Sequence, residues 1–330
     1  MYFPEETLRA YIADGKVRLV PELADCAGAK AAEMNGFEVI MISSGDLACS
    51  LTGIPDLQLL SIDDFCQATQ RITNMTRMPL IVDADDGFGF GRGLNTFYGC
   101  KRIMQSGAAG VLVTDTSELA RQGQLSIEDA VLRFKAARDG LDEDGRHGFL
   151  IARIDTNPEE DFDDCVARMK AYMAAGADMI CVLWMHKLKG NKFELLQRLK
   201  EACDCPMWYP DLCGRSYDPN EITMDELRRL GNCHLVGIHF SCHAAMMAML
   251  DVGRHVLQEE TNDYLDTCFD NIGYKCYTTM SMYGLADGYW VDREGRYVRH
   301  PQDSLAKRNA DYFLRSTDVL DPDAPKDSKL

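Results

Sequence analysis

The sequence predicts an α/β chain folded as a (β/α)8 TIM barrel with an extra C-terminal helical segment. Three observations lead there. Short β-rich apolar runs recur eight times before residue 258, spaced roughly 25–40 residues apart. Amphipathic stretches with legible helix ends separate them. Polar and charged side chains gather just after the runs, where a parallel barrel carries its reactive groups.

In chain order, the expected strands are 19–21, 38–42, 80–83, 110–113, 150–153, 179–182, 207–209 and 235–238. The helices between them announce their starts. Ser61 through Asp64 has the form of a capping box ahead of Phe65, Thr69 and Ile72 on one face. Ser126 and Asp129 repeat the pattern before Val131 and Phe134. Asn157-Pro158 opens a helix that carries Val166, Met169 and Met173 and stops at Gly176. Thr223 and Glu226 form another box before Leu227 and Leu230. A doubly wound open sheet is the alternative, but no Gly-rich dinucleotide fingerprint accompanies it. Residues 1–258 are therefore assigned to the barrel and 259–330 to an extension, whose last stretch, 318–330, has a disordered composition rich in Asp and Pro.

Composition narrows the function. The 330 residues are 46% hydrophobic, enough for a large core, and α/β barrels reach this size as one domain. A net charge of −17 argues against binding nucleic acid or an anionic membrane, because phosphate binding needs clustered Lys and Arg. No apolar run approaches the roughly 18 residues of a membrane span. The N-terminus lacks the pattern of a secretory signal, and 13 cysteines without framework spacing read as reduced thiols, so a cytoplasmic protein is expected. Cys203, Cys205, Cys213, Cys233 and Cys242 form no paired Cys-x-x-Cys knuckle, which favours buried thiols over zinc.

The sharpest local signal is Asp83-Ala84-Asp85-Asp86-Gly87-Phe88-Gly89, at the end of the expected third strand. Three carboxylates crowded at the end of a buried strand repel one another unless a cation neutralises them. Carboxylate and water oxygens suit Mg2+ or Mn2+. A solvated acidic turn is the plain alternative. Around it, the other strand ends supply Ser43-Ser44-Gly45-Asp46, Asp115, Arg153 and Asp155, Trp184 and His186, Tyr209 and Asp211, and His239. Arg153 has a structural alternative, as the ion-pair partner of Asp155 or Asp178, and His239 between Ile238 and Phe240 reads as a core histidine. The run Met246-Met247-Ala248-Met249-Leu250 reads as a packing face, within the chain or at an interface.

These residues, with the run Val20 through Asp25, Gly53-Ile54-Pro55-Asp56, Ala152-Arg153-Ile154-Asp155 and Gly176-Ala177-Asp178, resemble the isocitrate lyase/phosphoenolpyruvate mutase superfamily over about residues 15–258. The resemblance implies an Mg2+- or Mn2+-dependent enzyme that makes or captures a pyruvate-like enolate. It implies that Asp83 binds the metal directly, and that Asp85 and Asp56 act mainly through its water. Ser44 and Gly45 would hold a substrate carboxylate, with Asp46 beside them as an unexpected negative charge, and Arg153 would bind the substrate's other anionic group. It further implies a homotetramer sharing C-terminal helices, in line with the aromatic and apolar residues between Tyr274 and Trp290.

Two departures keep the chemistry open. The family's strand-four Glu-Asp pair is Thr114-Asp115 here, with Asp86 as a substitute charge. The gating segment, Thr116 through Gln124, holds neither the Cys of the lyase branch nor the Lys of either branch. A carbon–carbon lyase acting on a small 2-hydroxy- or 2-oxo-carboxylate is the leading reading, with Glu118 and His186 as the bases to consider. A phosphonopyruvate-type mutase or hydrolase, and an inactive metabolite-binding barrel, are the alternatives.

Overall fold

The computed structural model describes residues 2–88, 92–117, 123–271 and 289–309. Two compact units divide the chain, Met1–His243 and Ala244–Leu330. Glu118, Arg121 and the aromatics from Tyr274 to Leu285 lie outside the described residues, as does the tail expected to be disordered.

The first unit is a closed parallel barrel of eight strands. They are β1 (Arg18–Leu23), β2 (Ile40–Ile42), β3 (Leu80–Asp83), β4 (Gly110–Thr114), β7 (Phe149–Ile154), β8 (Met179–Val182), β9 (Met207–Tyr209) and β10 (Cys233–Ile238). They pair in that order and β10 closes on β1. A short antiparallel pair, β5 (Thr116–Ser117) and β6 (Gly123–Gln124), forms the stem of the segment after β4.

Side chains alternate across each strand, and two apolar clusters result. Val20, Met41, Ile81, Leu112, Ile151, Met179 and Leu235 fill the lumen, with Leu8 of helix α1 (Pro4–Ala13) packed among them. Ile40, Ile42, Val82, Val111, Val113, Ala152 and Val182 face the surrounding helices. The same alternation fixes what stands at the C-terminal mouth. Two residues beyond Val20, Ile81, Leu112 and Ile151 come Glu22, Asp83, Thr114 and Arg153, all on the lumen side.

The helix starts follow their capping chemistry. Ser61 with Asp64, and Thr223 with Glu226, form reciprocal boxes, and the Ser126 hydroxyl accepts from the Asp129 amide. One start differs from expectation. Asn157 closes a turn by accepting from the Glu159 amide, and the helix begins at Phe162 with Asp161 as its cap. The Asn157 side chain is spent on the Glu159 amide, which leaves the capping role to Asp161. The second unit contains the helix Asp263–Asn271 and a short one at Tyr289–Gly295, and helix Ser241–Glu259 runs across the boundary between the units. No helix among the described residues is long and apolar enough to cross a membrane.

Candidate active site at the barrel mouth

The acidic loop after β3 is held rigidly. Ala84 and Thr114 tie it to β4, through Ala84 N to Leu112 O at 2.8 Å and Thr114 N to Asp85 O at 2.9 Å. Asp85 takes a left-handed backbone, φ 48°, which Asp tolerates better than most residues, and its amide donates to Asp83 Oδ1 at 3.1 Å. Gly87 is required next, because its φ is +85° and a Cβ there would lie 2.4 Å from Thr96 Oγ1.

Helix α3 (Ser44–Thr52) brings the second part of the site against this loop. Ser44 Oγ lies 3.3 Å from Asp83 Oδ2 and 3.3 Å from Asp56 Oδ2. Gly45 faces Asp56, with a Cβ there falling in ordinary van der Waals contact with the Asp56 side chain at 3.5 Å. Ser44, Asp56, Asp83 and Asp85 are thus one cluster of oxygen atoms. Burial lifts the Asp83 carboxyl to about 6 against the pull of Arg153, and Asp56 and Glu22 add repulsion. Burial also raises Asp85, reinforced by the charges of Asp83 and Asp56. Carboxylates that resist ionising alone, next to a hydroxyl and without sulfur or imidazole, fit a hard divalent cation.

Arg153, at the mouth end of β7, grips Asp155 with both prongs, Nε to Oδ1 at 2.9 Å and Nη2 to Oδ2 at 3.2 Å. The structural alternative raised for Arg153 is therefore present, with Asp155 as partner, while Asp178 pairs with Arg9 and Arg138. Thr114 Oγ1 donates to the same Asp155 at 3.2 Å. Asp115, adjacent to Thr114, points the other way. It is fully buried against Arg168 (3.1 Å), Tyr172 OH (2.8 Å) and Gln124 (3.0 Å), and so takes no part in the mouth. Asp86 is buried on the pocket side of the loop, lining a cavity of about 280 Å³ with Asp56, Asp85, Phe65 and Phe88.

His186 lies in a 3-10 turn after β8. Its Nδ1 meets the Leu183 carbonyl at 2.5 Å and must be the protonated nitrogen there, since a carbonyl only accepts. Burial lowers its pKa, so the ring is neutral and Nε2 carries the basic lone pair. Buried Lys192 fixes this turn by donating to the His186 carbonyl at 3.2 Å. The same ammonium pairs with Asp218 (2.8 Å) and Glu221 (2.9 Å), which with Cys213 sit close enough for a metal. Lys192 already supplies the cation that this trio needs.

His239 departs most from its expected place. It is about half exposed rather than a core residue, and both ring nitrogens reach carboxylates, Nδ1 to Glu22 at 3.1 Å and Nε2 to Asp211 at 3.0 Å. Those hydrogen bonds raise its pKa to about 10, so it is an imidazolium. In an extended chain, apolar neighbours on both sides put the middle residue on the opposite face, which here is the mouth.

Residues 8–257 match the family described as phosphoenolpyruvate phosphomutase. The chain belongs to the phosphoenolpyruvate mutase/isocitrate lyase superfamily. It is similar to the 2-methylisocitrate lyase of Aeropyrum pernix, 28% identical over 315 residues that span 93% of this chain and 95% of that one. It is also similar to the oxaloacetate decarboxylase of Chromohalobacter salexigens, 27% identical over 74% of this chain and 82% of the relative. The crystal structure of phosphonopyruvate hydrolase with oxalate and Mg2+ shares the fold, with a TM-score of 0.77 at 22% identity over 90% of this chain and 99% of that chain. The mouth cluster thus occupies the end of the barrel where superfamily chemistry is expected from the sequence. Glu22 was not singled out in the sequence; its signal is its parity with Val20.

The raised Asp83 carboxyl gives a signed expectation. Between about pH 4 and 6 the folded chain keeps a proton that the unfolded chain has lost, so metal-free stability falls as pH rises through that window. A cation bound among these carboxylates would take the place of that proton. The Mg2+-induced rise in melting temperature should therefore be large near about pH 7.5 and small near about pH 5, with affinity about tenfold weaker at the lower pH. Differential scanning fluorimetry at the two pH values checks this, and an Mg2+ effect that does not change with pH would contradict it.

Proposed function

We propose that this protein is an Mg2+-dependent (or Mn2+-dependent) carbon–carbon lyase that acts on a small 2-hydroxy- or 2-oxo-carboxylate through a pyruvate-like enolate. The convergence of Ser44, Asp56, Asp83 and Asp85 at the barrel mouth carries this reading. Membership of the superfamily and likeness to named lyases and a decarboxylase support it. Asp83 would hold the ion directly, with Asp85 and Asp56 around it. When bound there, a divalent ion supplies positive charge to the substrate oxygen that becomes anionic as the carbon–carbon bond breaks. The Gly45 amide at the start of α3 would orient the substrate carboxylate beside Ser44.

Arg153 would meet the substrate's second anionic group. Its existing fork on Asp155 makes it a pre-oriented donor, and a diacid would share or displace that carboxylate. His186, neutral with Nε2 as its basic atom, suits removal of a hydroxyl proton at the start of cleavage. Glu118 keeps its place as the other base to consider. A cytoplasmic setting is supported by the free thiols of all described cysteines.

The same proposal covers assembly. Residues 1–258 would be the catalytic domain, and 259–330 would contribute to a homotetramer. Exposed Met246, Met247, Met249 and Leu250 give helix Ser241–Glu259 an apolar surface suited to a second copy.

Calorimetry tests the site. Wild type should bind oxalate only with Mg2+ present, and Asp83→Ala should weaken Mg2+ binding by at least about 100-fold, beyond the cost of losing an outer partner. Arg153→Lys should keep oxalate affinity within a few-fold but bind longer diacids about tenfold more weakly, since Lys cannot reproduce the fork. Unchanged Mg2+ binding by Asp83→Ala would refute the metal assignment.

Light scattering tests assembly. The expected mass is about four times the 37.0 kDa chain, and a monomer would refute the proposal.

A further inference from the structure

The proposed chemistry ends with an enolate that must gain a proton, and the group that delivers it is the open question. Asp46 occupies the right place for it. Val39, just before β2, and Met41 on it both face the lumen, so Ser43 continues that parity. The Ser43 hydroxyl accepts from the Asp46 amide at 3.4 Å, which ties Asp46, in the first turn of α3, to the mouth end of β2. The charged groups around Asp46 are Glu22, His243 and His239, all of the β1 and β10 side of the mouth. Asp46 is 5% exposed, and its Oδ2 makes no hydrogen bond to the described residues.

A buried carboxyl oxygen without a partner is costly unless a ligand completes it. Other mouth groups are already engaged. His239 spends both nitrogens on Glu22 and Asp211, and Arg153 holds Asp155. Asp86, another described acid with an unpartnered buried oxygen, lines a cavity with Ser44, Asp56 and Asp85 and so stands among the groups assigned to the metal. Behind Asp46 stands His243, whose Nδ1 is 3.8 Å from Asp46 Oδ1 and whose ring stacks on His239 at 4.2 Å between centroids. The His243 side chain is more than half exposed, at 57%. A 3.8 Å gap is closed by a small ring rotation or one bridging water.

We propose that Asp46 is the proton-transfer group of this site, exchanging a proton with the carbon next to the carbonyl of a pyruvate-like substrate, and that His243 passes that proton to and from solvent. The assignment rests on the enolate reading. In the enolising direction, the Asp46 Oδ2–H bond forms as the C3–H bond breaks. The C–H pair becomes the C2=C3 double bond, and the carbonyl π pair moves onto oxygen. After carbon–carbon cleavage the reverse occurs. Protonated Asp46 gives its proton to the enolate carbon, a methyl group forms, and His243 reprotonates the carboxylate. Burial and the charge of Glu22 hold the Asp46 carboxyl above the ordinary range, which favours its acting as an acid.

The experiment follows pyruvate with the full chain and Mg2+ in D2O, reading methyl-proton loss by NMR, and needs no knowledge of the natural substrate. Wild type should exchange. Asp46→Asn should exchange about 100-fold more slowly while its oxalate affinity stays within about threefold. His243→Gln, a change at an exposed ring, should slow exchange about five- to tenfold, with recovery on adding imidazole. Asp46→Asn that exchanges like wild type overturns the assignment. Loss of oxalate binding together with exchange also overturns it, by making Asp46 a binding residue. Absence of exchange in wild type that binds Mg2+ and oxalate would sink the enolate reading itself, and this inference with it.

Discussion

Mutual repulsion among buried carboxylates at the end of β3 is the constraint around which the mouth is organised. Burial raises the cost of ionising Asp83 and Asp85; the charge of Asp83 adds to that cost for Asp85, and the charge of Asp56 beside them adds to it for both. Folding can place them there because the backbone is pinned independently, by the amides of Ala84 and Thr114 and by a glycine that no other residue can replace without meeting Thr96. The loop is thus built to hold charges in unfavourable proximity. That is reasonable if a cation belongs among them.

Elsewhere in the mouth the chain supplies its own counter-charges. Arg153 answers Asp155, His239 answers Glu22 and Asp211, and Lys192 answers Asp218 and Glu221. These pairs fix side chains as much as they stabilise them, since the desolvation of a buried pair offsets most of its Coulomb attraction. Lys192 shows the consequence most clearly: the ion that neutralises Glu221 also holds the carbonyl of His186. The acidic cluster on β3 and Asp46 on α3 differ from these pairs. The first lacks an internal cation in hydrogen-bond contact among the described residues, and the second has an oxygen with nothing to bond.

The barrel was legible because each buried parallel strand is a short apolar run, and because the capping boxes at Ser61 and Thr223 and the Ser126 cap satisfy helix end groups from nearby sequence. What the sequence concealed is mostly parity. Thr114 and Asp115 are adjacent, yet one faces Asp155 in the mouth and the other is consumed by Arg168 and Tyr172 outside it. Glu22 stood just past the expected first strand and is a mouth acid, because β1 runs on to Leu23 and Glu22 lies two residues past Val20. His239 looked apolar from its neighbours, which point to the other face. The pairing of Arg153 was open from composition alone, since Asp155 and Asp178 were both in range of the strand and only the register selects Asp155.

Anomalous diffraction from crystals grown with Mn2+ and oxalate tests the central claim most directly. A single strong manganese peak bounded by Asp83, Asp85 and Asp56, with oxalate reaching the Gly45 amide after Ser44, is what the account requires. A peak at Cys213, Asp218 and Glu221, or none at the mouth at saturating Mn2+, would contradict it.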